Sequence, residues 1–497
     1  MLFNSLDFLI FFPVVVLVYF VLPYRVRNMW LLVASYYFYM GWDPKYALLI
    51  AVSTATTWGT GLLLEWFGRD DSTGLQRKLL LAVCLVFNLG ILFFFKYYDF
   101  AITNLGTVFR PLGISFRAPA FDVVLPVGIS FYTFQALGYV IDVYRGEMKA
   151  EKSLWRYALF ISFFPQLVAG PIERSKNLMG QIYERHSFDA KRVRDGLLLM
   201  GWGFFEKLVL ADRIAILVTE VFDNYTNHTG LEIVLATVLF AFQIYCDFGG
   251  YSDIAIGAAR VMGFRLMKNF NSPYYAVTVS DFWRNWHISL TTWFRDYVYI
   301  PLGGNRCSRW KWCRNLLVTF SLSGLWHGAS WNFVVWGGLN GFYQVIGKLT
   351  EPFRTVAKKR LGVRTDCASY RFFQRVITFI LVDFAWLFFR AKGFMAAFRM
   401  IEQGVSNFGL FSLLDSQTLM GLSTIGMDEK DFYVMLIGLT VLGLVDYFRQ
   451  RVDLKAALDR QNLVFRYFVY YIMIFTVLIF GIYGPEYDAS AFIYFQF

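Results

Sequence analysis

The feature that most limits the fold of this chain is a series of long apolar blocks separated by short polar stretches. A helix that crosses the hydrocarbon of a bilayer needs about 20 mostly apolar residues. Because the bilayer offers no water to bond the backbone, such blocks cross it as α-helices. Blocks of suitable length and polarity lie at 7–22, 29–42, 46–66, 79–97, 124–143, 196–218, 231–256, 315–327, 330–347, 371–391, 432–448 and 466–484.

Composition supports this interpretation. Charged residues make up 17% of the chain, whereas a soluble domain usually carries about 25%. No tandem repeat, flexible linker or soluble module separates the apolar blocks. The sequence therefore predicts an all-α polytopic membrane protein in which 1–497 form a single membrane domain of about 11–12 transmembrane helices. Lipid is then its immediate surrounding.

Basic residues predict the orientation of the helices. The net charge is +11, and the basic residues cluster in short loops at 69–78, 145–156, 173–194, 306–314, 348–375 and 449–466. Such loops stay on the cytoplasmic side, and the acidic or neutral loops at 98–123, 219–230 and 405–431 are expected outside. Alternation from an outside N-terminus satisfies this rule if 154–172, which contains Pro165 and Pro171, is a re-entrant segment. Both termini are then extracytoplasmic, and the charge reflects topology rather than nucleic-acid binding.

Several common kinds of site are missing from the sequence. The five cysteines do not combine with nearby histidines at the spacing of a zinc site, so no metal is expected. No hydrolase nucleophile elbow, phosphate-binding loop or dinucleotide fingerprint occurs. Chemistry by this chain therefore has to come from side chains at membrane depth.

His327 is the first candidate for such chemistry. An ionisable group inside a membrane domain is costly and often functional. Helical spacing would place Ser323, His327 and Ser330 on one face, and imidazole transfers protons near neutral pH. The alternative is a structural histidine satisfied by hydrogen bonds between helices. His186 and His228 lie in polar loops and are expected to be solvated.

His287 is the second candidate. As one helix, the segment 281–297 would be amphipathic, with a polar stripe of Arg284, His287, Thr291 and Arg295. The alternative to a catalytic role is an interfacial helix whose polar face meets headgroups or water. The surrounding region 257–310 is too polar to span the membrane. It predicts short helices on the cytoplasmic side, followed by a helix pair over 315–347 that is either two short helices or one long kinked helix.

Two carboxylates, Asp247 and Asp253, lie inside a predicted span. An unpaired Asp at the bilayer centre costs about 2.5–3.5 kcal/mol, so the pair indicates a polar cavity or buried ion pairs. Acid–base work is one interpretation. Capping of helix ends or binding of an arginine is the other, and we favour this structural role.

Several motifs together resemble a known family. They are MLFNS at 1–5, QLVAGPIER at 166–174, YCDFGGYSD at 245–253, DFWRNWH at 281–287, WFRDYVYIPLGGN at 293–305 and LWHGA at 325–329. The resemblance is to the membrane-bound O-acyltransferase superfamily, and within it to the alginate and polysaccharide O-acetyltransferase branch. It covers residue 1 to about residue 390 and thins toward the C-terminus.

The resemblance implies a function and an active site. In that family an Asn or His and a later invariant His form the active site, and His287 and His327 match these positions. The family fold is a ring of helices around a central polar passage, in which an acyl donor from the cytoplasm meets an acceptor from the other side. The implied reaction moves an acetyl group from a thioester donor, acetyl-CoA, to an extracytoplasmic polysaccharide. A separate SGNH or esterase-like acetyltransferase commonly shares this task, and the implied location is a bacterial cytoplasmic membrane.

Three residues are candidates for donor binding, and two rival functions remain open. Arg284, Arg295 and Asn305 lie on the predicted donor side, where the arginines would attract an anionic thioester; no bound cofactor is expected. A topological role explains the basic run 306–314 equally well. Transfer of D-alanine or another acyl group on the same fold is an alternative function. A non-catalytic transporter of polymer or acyl groups is another, although repeated halves are not visible in the sequence.

Overall fold

Most of the residues that the structure describes are helical. The structure is a computed structural model that describes residues 1–68, 74–112, 125–408, 425–483 and 492–493. Within those ranges the regular elements are helices, and no strand occurs. The predicted all-α polytopic class is confirmed.

The described α-helices range from four residues in length to 33. In chain order they are α1 (Leu6–Val21), α2 (Tyr24–Met40), α3 (Ala47–Phe67), α4 (Gly74–Leu92), α5 (Tyr98–Phe109), α6 (Ile129–Tyr144), α7 (Leu154–Ser162), α8 (Phe164–Leu167), α9 (Ser175–Ile182), α10 (Ala190–Phe204), α11 (Asp212–Asp223), α12 (Gly230–Met262), α13 (Val279–Asn285), α14 (Ile288–Phe294), α15 (Arg309–His327), α16 (Trp331–Leu349), α17 (Glu351–Arg360), α18 (Ala368–Arg390), α19 (Phe394–Ser406), α20 (Glu429–Arg449), α21 (Leu454–Asp459) and α22 (Leu463–Phe480). Wider π-helical turns occur at Phe93–Tyr97, Phe205–Ala211 and Arg295–Tyr299. Tighter 3-10 turns occur at Pro44–Tyr46, Arg110–Leu112, Tyr225–Asn227 and Pro273–Tyr275.

The chain divides into two compact units. The first comprises Met1–Met200 and Ile254–Met267, and the second comprises Gly201–Asp253 and Lys268–Gln496. Both candidate histidines belong to the second unit. The single membrane domain expected over 1–497 stays a prediction.

Among the described residues, six helical stretches are long and apolar enough to cross a bilayer. They are Pro44–Phe67, Gly74–Phe109, Gly230–Met262, Ala368–Arg390, Glu429–Arg449 and Leu463–Phe480. The last of these, α22, has no buried residue although its sequence is strongly apolar. Such a surface is stable against lipid, so the protein is a multi-pass membrane protein.

One predicted loop is wrong at its start. We expected a span at 79–97 followed by a loop from 98, but the chain stays helical through Phe93–Tyr97 into α5. The cause is visible in the sequence, since Asp99, Thr103 and Thr107 recur every four residues and leave an apolar face between them. The rest of that predicted loop, 113–123, lies outside the described residues. Three of the predicted basic loops also contain short helices: α9 lies within 173–194, α17 within 348–375 and α21 within 449–466.

The proposed re-entrant segment is a pair of short helices inside the first unit. The chain breaks at Phe163 between α7 and α8, and Pro165 lies in the first turn of α8. Every residue from 157 to 173 is buried. The requirement that protein cover this backbone is therefore met, while the side from which it enters stays a prediction.

The helix pair over 315–347 is two helices rather than one kinked helix. They approach so closely that a Cβ on Gly324 would lie 2.0 Å from the Phe333 carbonyl oxygen, and one on Gly337 would lie 2.2 Å from that of Phe320. Glycine is thus required at this contact. Because α15 ends at His327, the expected shared face of Ser323, His327 and Ser330 is wrong: Ser330 instead caps α16, accepting from the Asn332 amide.

Candidate active site

His327 is the last residue of α15. The helix stops there because Gly328 is fully extended, with φ −161° and ψ 150°. A Cβ at Gly328 would lie 2.2 Å from the Phe333 ring, so the turn needs glycine. The close approach of α15 and α16 leaves the His327 side chain 4% exposed. His327 is therefore held directly before the tight turn that joins α15 to α16.

His287 lies in a break between two short helices, α13 and α14. The expected continuous amphipathic helix over 281–297 is wrong, because His287 adopts a left-handed backbone with φ 40° and ψ 54°. This conformation costs a side-chain-bearing residue about 1–2 kcal/mol. The interfacial alternative is also wrong, since the side chain is only 1% exposed. Strained backbone of this kind persists where surrounding contacts fix it, often at functional sites.

A neighbouring segment, 269–271, holds the break between α13 and α14 by a hydrogen bond on each side. The Asn271 amide donates to the Asn285 carbonyl at 3.0 Å, and the Ile288 amide donates to the Asn269 carbonyl at 2.9 Å. The two hydrogen bonds therefore bracket Trp286 and His287. They replace bonds that a continuous helix would have made.

The structure brings the two histidines together. Their ring centroids are 6.3 Å apart, with the planes at 64°. The Trp326 ring lies 4.9 Å from His327 and 6.0 Å from His287. Other aromatic rings complete the surroundings: Phe248 at 4.6 Å from His287, and Trp336 and Phe389 at 5.1 Å and 5.4 Å from His327.

This arrangement suits proton transfer at a carbonyl. A reacting group hydrogen-bonded to both rings would lie about 3 Å from a nitrogen of each, which a centroid separation of 6.3 Å allows. Burial lowers the pKa of His287 to about 3, so its imidazole is neutral and offers one N–H donor and one acceptor. The aromatic walls exclude water and strengthen electrostatic effects inside the site.

The predicted donor-side residues lie elsewhere on the surface of the second unit. Arg284 and Asn305 are exposed. Arg295 is exposed as well and bonds the neighbouring Asp296 at 2.7 Å. Their burial differs sharply from that of the histidine pair, so any role in donor binding would be played at the surface.

The carboxylate Asp247 is part of a buried ion pair. Lys207 Nζ lies 2.6 Å from Asp247 and 2.8 Å from Asp212. The Ile493 amide donates to the same Asp247 side chain at 2.8 Å, whereas Asp253 lies 4.0 Å from Arg449. The structural interpretation of Asp247 is confirmed. The partner Lys207 was missed, although a lysine inside the predicted span 196–218 was its signal.

The two remaining histidines were predicted wrongly. His186 is buried, its Nε2 lies 2.9 Å from the Gln181 carbonyl, and its ring packs on Phe264. His228 is half-buried beside Glu232, at 3.3 Å. Both loops fold back onto helices, which polarity alone did not reveal.

Comparisons with known proteins identify the family of the chain. The profile of the membrane-bound O-acyltransferase family (MBOAT) matches residues 150–389, which include both histidines. The probable alginate O-acetylase AlgI of Pseudomonas aeruginosa is 37% identical over 458 residues, covering 92% of this chain and 84% of that protein. The peptidoglycan O-acetyltransferase of Helicobacter pylori is 32% identical, covering 81% and 79%.

A more distant relative has a different substrate in its name. The teichoic acid D-alanyltransferase of Bacillus subtilis is 26% identical over 292 residues, covering 56% of this chain and 71% of that protein. The extent and identity of the acetylase matches are higher. The chain is therefore an O-acyltransferase that belongs to the membrane-bound O-acyltransferase family.

Proposed function

We propose that this protein moves an acetyl group from a cytoplasmic thioester, acetyl-CoA, to an extracytoplasmic polysaccharide or to a partner acetyltransferase of the SGNH or esterase-like kind. The single observation that carries the proposal is the buried histidine pair, 6.3 Å apart in an aromatic site. The names of the relatives support the acetyl group and a polymer acceptor, since they are an alginate O-acetylase and a peptidoglycan O-acetyltransferase. We place the protein in a bacterial cytoplasmic membrane.

In the proposed reaction His327 is the general base. It takes the proton of an acceptor hydroxyl while the hydroxyl oxygen attacks the thioester carbonyl. The C–S bond then breaks, and the leaving thiolate takes the proton back from His327. A positioned base of this kind contributes about 10²–10⁴-fold to the rate.

His287 has a different part in the same reaction. Because its imidazole is neutral, it has an N–H that can orient the thioester and polarise its carbonyl as negative charge develops on the oxygen. A donor fixed in a pre-formed apolar site pays no solvent reorganisation at that moment. His287 would therefore act on the transition state more than on donor binding.

Exposed cations are the proposed entry surface for the donor. Arg284 and Arg295 lie near His287 in sequence, and Asn305 directly precedes the basic run 306–314. Exposed positive charge raises the local concentration of an anionic thioester and does so less at high salt. We propose that these residues attract the donor to the protein surface and that the two histidines carry out acyl transfer.

The test is the acetyl ester content of surface polymer in cells that carry wild type, His327→Ala or His287→Ala, at matched membrane levels. We expect His327→Ala to lower ester formation by about 10²–10⁴-fold. His228→Ala is the matched control, since this histidine lies beside Glu232 away from the pair, and it should leave ester content unchanged. Full acetylation by well-expressed His327→Ala would exclude it as the base.

D-alanyl transfer is the second candidate, favoured by the match to a teichoic acid D-alanyltransferase. The two reactions are separated by the product on the polymer. Mass analysis of the released acyl group gives acetate in the first case and D-alanine in the second. Acetate that disappears with His327→Ala supports the acetylase.

A further inference from the structure

Asn269 is a buried amide next to the strained histidine of the second unit. It is almost fully buried, yet it lies in a connecting segment rather than in a helix. A buried amide is kept where each of its polar groups has a partner. The partners of Asn269 are informative because two of them, Ile288 and Ser289, directly follow His287.

The side chain of Asn269 joins two parts of the site. Its Oδ1 accepts from the Ser289 hydroxyl at 2.6 Å, and its Nδ2 donates to the Ser252 hydroxyl at 2.9 Å. Its main-chain carbonyl accepts from the Ile288 amide. Asn269 therefore holds both residues that follow His287, and it anchors them to α12, the helix that also supplies Phe248 against the His287 ring.

We propose that Asn269 is the positioning residue that holds His287 in its left-handed conformation for acyl transfer. Without this amide, the hydrogen bond from the Ser289 hydroxyl is lost, and with it the link through Asn269 from the first turn of α14 to α12. The backbone can then relax toward the continuous helix that the local sequence favours. Such relaxation rotates the imidazole away from the reacting carbonyl.

This inference rests on the proposed acyl transfer and adds a residue to it. A residue that acts through His287 should affect the maximal rate, because polarising the carbonyl matters in the transition state. A residue that only supports the fold would lower the amount of protein and leave the rate of each remaining molecule intact. Kinetics per folded molecule separate the two roles.

The experiment uses inverted membrane vesicles containing the full chain and endogenous polymer, with radiolabelled acetyl-CoA as the probe. Label in polymer is measured against donor concentration, and folded protein is quantified for each variant. The variants are Asn269→Ala, Asn269→Asp, Ser289→Ala and the double Asn269→Ala/Ser289→Ala. The matched control is Asn271→Ala, since the Asn271 side chain is exposed and bonds the Asn285 side chain, and the variant retains the backbone amide.

We expect Asn269→Ala to lower the maximal rate by about 10²-fold, as misplacement of a reacting group does, with KM for acetyl-CoA unchanged. Asn269→Asp keeps an oxygen for Ser289 and should recover part of that rate. The double variant should be no slower than the worse single, because both act through one contact. Asn271→Ala should behave as wild type.

Normal maximal rates in Asn269→Ala, or a loss confined to KM or to protein level, would overturn the inference. If Asn269→Ala does not accumulate, normal rates in both Ser289→Ala and Asn269→Asp overturn it, and a shared loss of maximal rate supports it. Failure of the proposed function looks different: wild-type vesicles would transfer no label from acetyl-CoA, and the inference would fall with it. If wild-type vesicles transfer label and the variants have normal maximal rates, the inference is overturned and the proposed function stands.

Discussion

Lys207 is a buried cation held between two carboxylates. Removing an ion from water costs several kcal/mol, and only a close partner in the interior offsets that cost. Asp247 and Asp212 are both within 2.8 Å, so losing one of them leaves the lysine paired. Losing the lysine leaves two carboxylates near each other without that cation.

Substitution of the lysine should therefore destabilise the protein more than substitution of one carboxylate. We expect Lys207→Met to lower the free energy of unfolding by about 3–5 kcal/mol, the usual cost of stranding a buried charge. The isosteric Asp247→Asn should cost clearly less, because Lys207 keeps Asp212. Denaturant unfolding of the full chain in detergent measures both, and equal losses would contradict this account.

The contact of α15 with α16 shows how an element places a residue. In a membrane, helices associate through close packing rather than through the hydrophobic effect, and small residues permit it. Gly324 and Gly337 face the opposite backbone in this pair. The contact in turn sets the end of α15 and with it the position of His327.

A methyl group at Gly324 has no space. We expect Gly324→Ala to separate the helices, to lower stability by about 1–3 kcal/mol as overpacking does, and to reduce transfer activity of the remaining folded protein. The measurements are thermal unfolding in detergent and acetyl ester per folded molecule.

Gly347→Ala is the matched control for that variant. It lies on α16, and nothing would come within 4 Å of its added Cβ. Alanine also favours a helix over glycine by about 1 kcal/mol. Equal destabilisation by the two variants would show that backbone contact at Gly324 is not the cause.

At the scale of the whole molecule, the distribution of charge predicts orientation. The loop 449–466 carries several basic residues and the short helix α21, whereas 219–230 carries acidic and neutral ones. The positive loop should stay in the cytoplasm. The last span, α22, then returns the C-terminus to the outside.

Reporter fusions test this orientation. An alkaline phosphatase fused within 449–466 should be inactive, because that enzyme needs the oxidising exterior, and one within 219–230 should be active. A cytoplasmic fluorescent reporter at the same two sites should give the opposite pattern. Phosphatase activity from 449–466 would contradict the topology, including the re-entrant position of 154–172.

The sequence by itself determined the class of the protein and pointed to the two histidines that we propose as reactive residues. Apolar blocks long enough for a bilayer can only be helices there, because their backbone must bond within the segment. His327 and His287 were recognisable since ionisable groups are rare in such surroundings and because the motifs around them resemble a family. Neither conclusion required knowledge of the contacts between helices.

Tertiary structure decided the geometry of the site. Nothing at 286–288 is a proline or glycine, so local periodicity predicts an unbroken helix through His287. Hydrogen bonds accepted by Asn269 and donated by the Asn271 amide, from outside this segment, override that preference, and the side chain is buried. Likewise, Lys207 and Asp247 find each other across separate helices. Contacts between distant segments carry the energy that local patterns lack, so the fold had to be known before the two histidines could be placed 6.3 Å apart.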